Sequence, residues 1–595
     1  MNSIRKKNKK RIHSKSSVSL ICQNCKKDFI IESEDFNFYE KIKVPPPTFC
    51  PECRMQRRMA WRNERTLHRN KCAKTGKSLI SCFSKESPFT IYERDIWWGD
   101  GWDPTDYGIQ YDFQKSFFSQ FKKLLEKVPH PNLFIGKCVN TFYGNYIGEF
   151  RNSYLISASW EGENVIYASR CNFCKDSMDM YITTKCEFCY DDISSTKCYE
   201  TFFSHNADSC TSSYFLYDCK NCINCFGCIS LRNKSNCMWN VQLTKDEYNK
   251  KLKALDIGSF KNFKKAKEKF EKLKLSAKRR FANIINSTDV SGDDIFHADN
   301  SKACFGVLEE IKDCKFLMNS FRTKDSYDGY GLGLVELLYE GMDSGVNGSS
   351  QLFVLTVWEC LNAEYSFNCH GCNNIFGCVG LRNKNYCIFN KQYEKVEFGK
   401  LRELIIKQMN KVFYIDKRGN KYGYGEYFPI EISPFGYNET VSQDYFPLSQ
   451  ETILKNGYNY IEKEKSEYKT TCLSEDLSDH IEGANENVLS LIIECGSCKR
   501  PYKIIQNEYI FLKRFNLPLP RNCFECRHQE RFKKVNPPKL WHRSCMCDPT
   551  SQSFDGRNKN HFHGIRKCDV EFETNYAPER PEIVYCEKCY QQEVY

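Results

Sequence analysis

Near each end of this sequence stands the same pattern, Cys-x2-Cys-x24-Cys-x2-Cys. The first set is Cys22, Cys25, Cys50 and Cys53; the second is Cys495, Cys498, Cys523 and Cys526. The offset between them is 473 at every cysteine, and it holds also at Lys41/Arg514, Pro45/Pro518, Pro47/Pro520, Arg54/Arg527, Arg58/Arg531, Leu67/Leu540 and Cys72/Cys545. The repeat is therefore a unit of about fifty residues rather than four isolated cysteines. Two thiols three residues apart form a tight knuckle, and two knuckles supply the four thiolates that tetrahedral zinc binds at ~2.3 Å. Each unit is read as a zinc ribbon, against a redox dithiol or plain buried cysteines.

Charge and cysteine usage place the chain. With 595 residues it has room for several domains. No apolar run approaches the ~20 residues of a membrane helix, so a membrane is not an expected partner. No signal-type apolar core follows the basic N-terminus. The 35 cysteines are accordingly expected in the reducing cytoplasm, where cysteine pairs bind metal more often than they form disulfides. Residues 1–72 hold 18 Lys and Arg against 7 Asp and Glu, which is +11 of the chain's +12. A basic end of this kind points to a polyanion, nucleic acid first; a solvated tail is the alternative for 1–19.

The fold class reads as mixed and β-rich. Terminal zinc ribbons flank two duplicated β-solenoid-like blocks, each closed by a helix. In order, 1–19 is a disordered basic arm, 20–72 the first ribbon with a basic helix, and 73–137 an aromatic and helical packing region. Block 1 follows at 138–243, a Lys-rich helical cap at 244–290, block 2 at 291–393 and a second helical cap at 394–411. A loop-rich aromatic region and linker, 412–490, leads to the second ribbon at 491–544 and a C-terminal zinc knuckle domain at 545–595.

After Cys53 the pattern predicts a helix carrying Arg54, Arg58, Arg62, Arg65 and Arg69 on one face. Such a stripe can follow a phosphate backbone, or it can pair with acidic residues elsewhere in the protein. The second ribbon keeps only part of it, with Val535 and Pro538 in place of Arg62 and Arg65, and Glu530 in place of the neighbouring Arg57.

In the middle, short strand-like pieces alternate with polar turns at a period that reads as irregular. Cys210, Cys219, Cys222, Cys228 and Cys237 recur as Cys360, Cys369, Cys372, Cys378 and Cys387 at an offset of 150. The run Cys219, Cys222, Cys225, Cys228 has iron–sulfur spacing. Its counterpart replaces Cys225 with Ile375, which suits a buried apolar position and not a four-thiolate cluster. Stacked core cysteines are preferred, with a metal site in the first copy as the alternative. Asp176, Asp179, Asp191 and Asp192 would have to converge if this region were an enzyme; turn-forming aspartates explain them better.

Cys586-Glu-Lys-Cys589 is a third knuckle, with Cys545, Cys547, Cys568, His561 and His563 as candidate partners for its zinc. Cys50-Pro-Glu-Cys53-Arg, Trp61-Arg-Asn-Glu-Arg65, Leu231-Arg-Asn-Lys234, Ser433-Pro-Phe-Gly-Tyr-Asn-Glu439 and Tyr585-Cys-Glu-Lys-Cys-Tyr590 together resemble an uncharacterised multi-zinc-ribbon family, known mainly from predicted proteins of small-genome uncultivated bacteria. The resemblance spans nearly the whole chain. It implies a cytoplasmic protein with several ribbons, matched at the eight terminal ribbon cysteines, and implies no activity.

The leading functional expectation is a zinc-binding, non-enzymatic protein holding two to three Zn2+ and contacting RNA or DNA through its basic N-terminal ribbon. The second is a protein assembly scaffold, with partner surfaces in the aromatic loops 90–110 and 423–447. The third is an enzyme in the β-rich middle. Closed four-thiolate shells leave no open coordination position for activating water.

Overall fold

Between Asn140 and Trp239 the backbone enters the left-handed region at every third residue, without a break. The computed structural model describes residues 16–462, 468–551, 556 and 561–595; most of the expected arm, up to residue 15, lies outside them. The residue after each left-handed turn points inward, and every third residue from Cys171 to Leu231 is buried. Four such triplets make one coil of twelve residues. Parallel partners accordingly stand twelve apart: Ile147 with Ser159, Cys171 with Thr183, Tyr199 with Thr211, Cys225 with Cys237. The period that reads as irregular in the sequence is thus regular, with a repeat of three. It is hidden because the turn positions accept Asn, Asp, Glu, Phe and Tyr alike.

This geometry explains the interior composition. In each triplet one amide bonds forward and one backward, as Tyr154 N does to Val165 O and Leu155 N to Phe142 O, both at 3.0 Å. In many triplets the inward residue's amide turns away from the backbone. It donates to a side chain on the preceding coil: Cys171 N to Ser159 Oγ at 2.9 Å, Ala207 N to Ser195 Oγ at 3.3 Å, Cys372 N to Cys360 Sγ at 3.2 Å. Buried amides need partners, and many positions of the narrow interior carry small side chains that serve as acceptors, among larger ones such as Phe150, Met180 and Leu216. Thiols also lie near carbonyls, as Cys198 Sγ does at 3.5 Å from Thr196 O and Ala207 O. Cysteine and serine fill the interior because they do both jobs.

In the second half, thirteen strands form one sheet. Six of them pair in a closed parallel ring: Ala298–Val307, Glu309–Lys312, Phe321–Lys324, Gly333–Met342, Tyr327–Tyr330 and Lys315–Met318. Partners again stand twelve apart at Lys315/Tyr327 and Leu361/Asn373, with a slip of one residue between Gly333/Gly345 and Val335/Gly348. Each β region ends in a short antiparallel strand and then a helix, Lys245–Leu255 or Lys395–Met409. The Lys-rich helical cap expected over 244–290 is two helices, Lys245–Leu255 and Phe260–Leu275, and ends at Leu275.

The halves exchange helices. Phe117–Lys127 precedes the first β region but packs on the second, with Phe117 5.5 Å from Phe376 and 5.1 Å from Phe389. Phe260–Leu275 precedes the second and packs on the first, with Phe263 4.7 Å from Phe203 and Phe270 5.6 Å from Phe215. In the aromatic loops expected as partner surfaces Trp97, Tyr427, Phe428 and Tyr437 are buried as packing residues, while Trp98 is 42% exposed.

Candidate metal centres

Four groups of side chains bring their ligand atoms within 4.8 Å of one another. Cys22, Cys25, Cys50 and Cys53 form the first; Cys495, Cys498, Cys523 and Cys526 the second; Cys545, Cys568, Cys586 and Cys589 the third. The fourth joins Cys547, His561, His563 and Cys589. The ligands grouped in the sequence around the last knuckle thus divide into two sets that share Cys589. Among the described residues no such cluster forms in the β regions.

Each of the three sulfur clusters is assembled by the same local folding. A hairpin turn puts the first cysteine's amide on a carbonyl: Cys22 N to Lys27 O, Cys495 N to Arg500 O and Cys545 N to Val570 O, at 2.9, 3.0 and 2.9 Å. The third cysteine caps a helix N-terminus: Cys50 for Pro51–Met59, Cys523 for Phe524–Phe532, Cys586 for Glu587–Val594. Its amide donates to the first sulfur, at 3.3, 3.2 and 3.2 Å. A helix start with amides aimed at sulfur favours thiolate over thiol. The sulfur pairs Cys25/Cys50, Cys498/Cys523 and Cys568/Cys586 are 3.7, 3.7 and 3.9 Å apart. A zinc tetrahedron with ~2.3 Å bonds has edges of about 3.8 Å, whereas a disulfide needs ~2.05 Å. The donor set and its size fit a divalent metal.

The arginine stripe has a different destination. The helix ends at Met59, and Arg69 lies on the strand His68–Lys71. Arg54, Arg58 and Arg62 are at most 3% exposed. Arg54 reaches Asp328 at 2.9 Å; Arg58 reaches Asp328 at 3.1 Å and Glu340 at 2.5 Å; Arg62 reaches Asp343 at 3.1 Å. Arg57, outside the expected stripe, bridges Glu340 and Glu426, both at 2.7 Å. Arg65 pairs with Glu525 of the second ribbon, and only Arg69 stays exposed. Phosphate contact by Arg54, Arg58 and Arg62 is therefore excluded by burial; their charge is matched by carboxylates inside the protein.

The second ribbon repeats this on the other β region. Arg527 binds Asp179 at 2.6 Å and Glu508 at 3.0 Å; Arg531 binds Asp179 at 2.8 Å and Asp191 at 2.9 Å. Burial would raise the Asp191 carboxyl, but Arg531, Lys267 and Lys534 together hold it below the usual range. Asp179/Asp328 and Asp191/Glu340 share an offset of 149. The cysteine offset is 150, and the extra residue enters at the register slip beside Gly348. So the first ribbon grips the second β region and the second ribbon the first. Of the aspartates weighed as catalytic candidates, Asp176, Asp179 and Asp191 stand at left-handed turns. Asp179 and Asp191 are these anchors, and Asp176 accepts from the Asn164 side-chain amide at 2.8 Å. Asp192 takes the Ser204 amide at 2.9 Å, with burial pushing its carboxyl well up.

Sequence reasoning missed the acidic anchors. Matching the two β regions at 149 rather than 150 would have aligned Asp179 with Asp328 and Asp191 with Glu340.

No family model and no curated protein matches the chain. Among solved structures, one described as "putative acetyltransferase from Desulfovibrio desulfuricans G20" aligns over 46% of this chain and 74% of its own, at 9% identity and a TM-score of 0.09. A likeness of that size carries no argument about fold or function.

Proposed function

We propose that this chain is a zinc-binding, non-enzymatic assembly scaffold. Its ribbons are clamps: each holds zinc and drives a basic helix into the opposite solenoid-like block, fixing two blocks as one body. The observation that carries this reading is the paired burial of Arg54 and Arg58 on Asp328 and Glu340, and of Arg527 and Arg531 on Asp179 and Asp191. A ribbon whose basic face is neutralised internally has little charge left for an external polyanion. The outer coils offer apolar contact instead: Trp160 and Phe173, on adjacent coils, are 45% and 46% exposed. The family resemblance and the cytoplasmic setting belong to the same reading.

Nucleic-acid binding is the second reading, and one observation favours it: the basic cluster Arg5, Lys6, Lys7, Lys9, Lys10, Arg11 and Lys15 at the start of the chain. It would then run through the arm, not through the ribbon helix. RNA retention measured against salt, on the full chain and on a chain lacking residues 1–15, separates the two. Phosphate binding gives a steep log–log salt slope. Loss of retention with the arm leaves the ribbons as clamps. A steep slope that survives arm removal overturns the clamp-only role of the ribbons.

A further inference from the structure

The C-terminal unit contains one cysteine too few for two separate four-ligand sites, and Cys589 belongs to both groups. We propose that it holds two divalent ions of the zinc class, bridged by the Cys589 thiolate. One ion takes Cys545, Cys568, Cys586 and Cys589; the other takes Cys547, His561, His563 and Cys589. This rests on reading the three sulfur clusters as metal sites and adds a fourth ion to them.

The two histidines carry the argument. His561 Nε2 lies 2.9 Å from Glu593 Oε1, and both side chains are buried. A carboxylate there accepts a hydrogen bond from Nε2–H and so fixes the tautomer whose Nδ1 carries the lone pair, the arrangement that orients and strengthens a metal-binding imidazole. His561 Nδ1 is 3.6 Å from Cys547 Sγ. With Zn–S of ~2.3 Å and Zn–N of ~2.0–2.1 Å, the S–N edge of a tetrahedron is about 3.6 Å. His563 Nδ1 is 2.6 Å from the Arg566 carbonyl, which can only accept, so Nδ1 carries the proton. That leaves Nε2 as the lone-pair atom, and it is buried with no hydrogen-bond partner. Without a ligand the buried His563 Nε2 would be uncompensated polar burial.

A control lies within the chain. The hairpin His68–Lys71/Ser78–Ser81 has the register of Trp541–Ser544/Glu571–Thr574. Its Cys72 amide bonds Lys77 O at 2.9 Å, and the Glu93 amide bonds Cys72 Sγ at 3.4 Å. It is the same knuckle with Thr75, Glu93 and Ile96 where the C-terminal unit has Cys568, Cys586 and Cys589. The offset is 473 at Cys72/Cys545 but 493 from Thr75/Cys568 onward. The residues gained in between include Cys547, His561 and His563. The added segment therefore brought three ligands of the second ion together, next to a thiolate already bound to the first.

A thiolate bridging two cations keeps its charge; the five thiolates and two neutral imidazoles leave two M2+ ions with a net charge of −1, and binding releases only thiol protons. Both shells are filled by protein ligands, so the pair stiffens the unit rather than activating water.

The test is metal content by native mass spectrometry on the full chain, purified without added metal and again after cobalt exchange. Four ions are expected. The His561→Ala/His563→Ala variant should lose one and keep the four-cysteine site, and Cys589→Ser should lose two. Thiolate-bridged Co2+ ions couple antiferromagnetically, so the cobalt protein's paramagnetic resonance should gain intensity in the histidine variant although it holds one ion fewer. Three ions in the wild type, unchanged by the histidine variant, overturns the bridged pair and leaves the three ribbons standing. Fewer than three overturns the ribbon reading itself. Four ions with uncoupled cobalt spins overturns the bridge.

Discussion

The ribbons and the β regions both contain cysteines three residues apart, and they use them in opposite ways. In a ribbon the chain reverses between two knuckles, and four sulfurs converge on one point. In the coils a step of three moves one side along the wall, so Cys219, Cys222, Cys225 and Cys228 look inward from successive sides. There Cys219 and Cys228 lie near the carbonyls of the next coil, 3.5 Å from Cys228 O and Cys237 O. The difference teaches that Cys-x2-Cys alone does not specify a metal. The ribbon pair is isolated and answered by a second pair at one fixed spacing, the same at both ends of the chain. The coil pair sits in a series at multiples of three made mostly of Ser, Thr, Ala and Cys, with Met180, Asp192 and Leu216 among them.

The sharpest way to separate the two uses is a high-affinity chelator. Metal binding to such sites is worth ~10–16 kcal/mol in ribbon-sized units. Chelation should unfold the ribbons, seen as rapid proteolysis near residues 20–60 and 495–535, while the parallel β signal in circular dichroism persists. Equal loss of both signals would make the coil cysteines metal-dependent too.

Next come the clamps that join the regions. Glu340→Gln or Asp179→Asn leaves buried arginines short of a counter-charge, which costs about 3–5 kcal/mol. A lowered denaturation midpoint with full metal content is expected; loss of metal instead would mean that the arginines hold the ribbon and not the block. A smaller effect is expected inside the coil. Cys210→Leu overfills a narrow interior and should cost about 1–3 kcal/mol without changing metal content.

Smallest of all should be Cys198→Ser, because a hydroxyl replaces the thiol's bonds to Thr196 and Ala207. A change below about 1 kcal/mol is expected, whereas Cys50→Ser should lose an ion. Comparable metal loss from both variants would erase the distinction on which the comparison rests.

Much of this is legible in the residues, and the failures have physical causes. The eight end cysteines fall together as their spacing requires, because a knuckle is a local structure set by a few residues. The start of the arginine helix is equally local, but its partners are not. Asp328 and Glu340 lie in the other half of the sequence, and nothing local distinguishes an arginine that will be buried from one that will face solvent. The period of three is hard to see because inward positions mix Cys, Ser, Thr, Met, Asp and Leu. They are selected for size and hydrogen bonding, not for hydropathy. The division of the last ligands into two groups is masked by the long insertion between Cys545 and Cys568, where Cys72 and Thr75 are close neighbours.

The crossed grip of the ribbons also governs the order in which a nascent chain can settle. The first arginine helix leaves the ribosome long before its carboxylates exist, and Asp179 waits still longer for Arg527. A chain halted after the second block would carry a satisfied first ribbon and an orphaned first block. Emergence of the second ribbon is then the event that closes the first block, and until it Asp179 and Asp191 stand without their arginines.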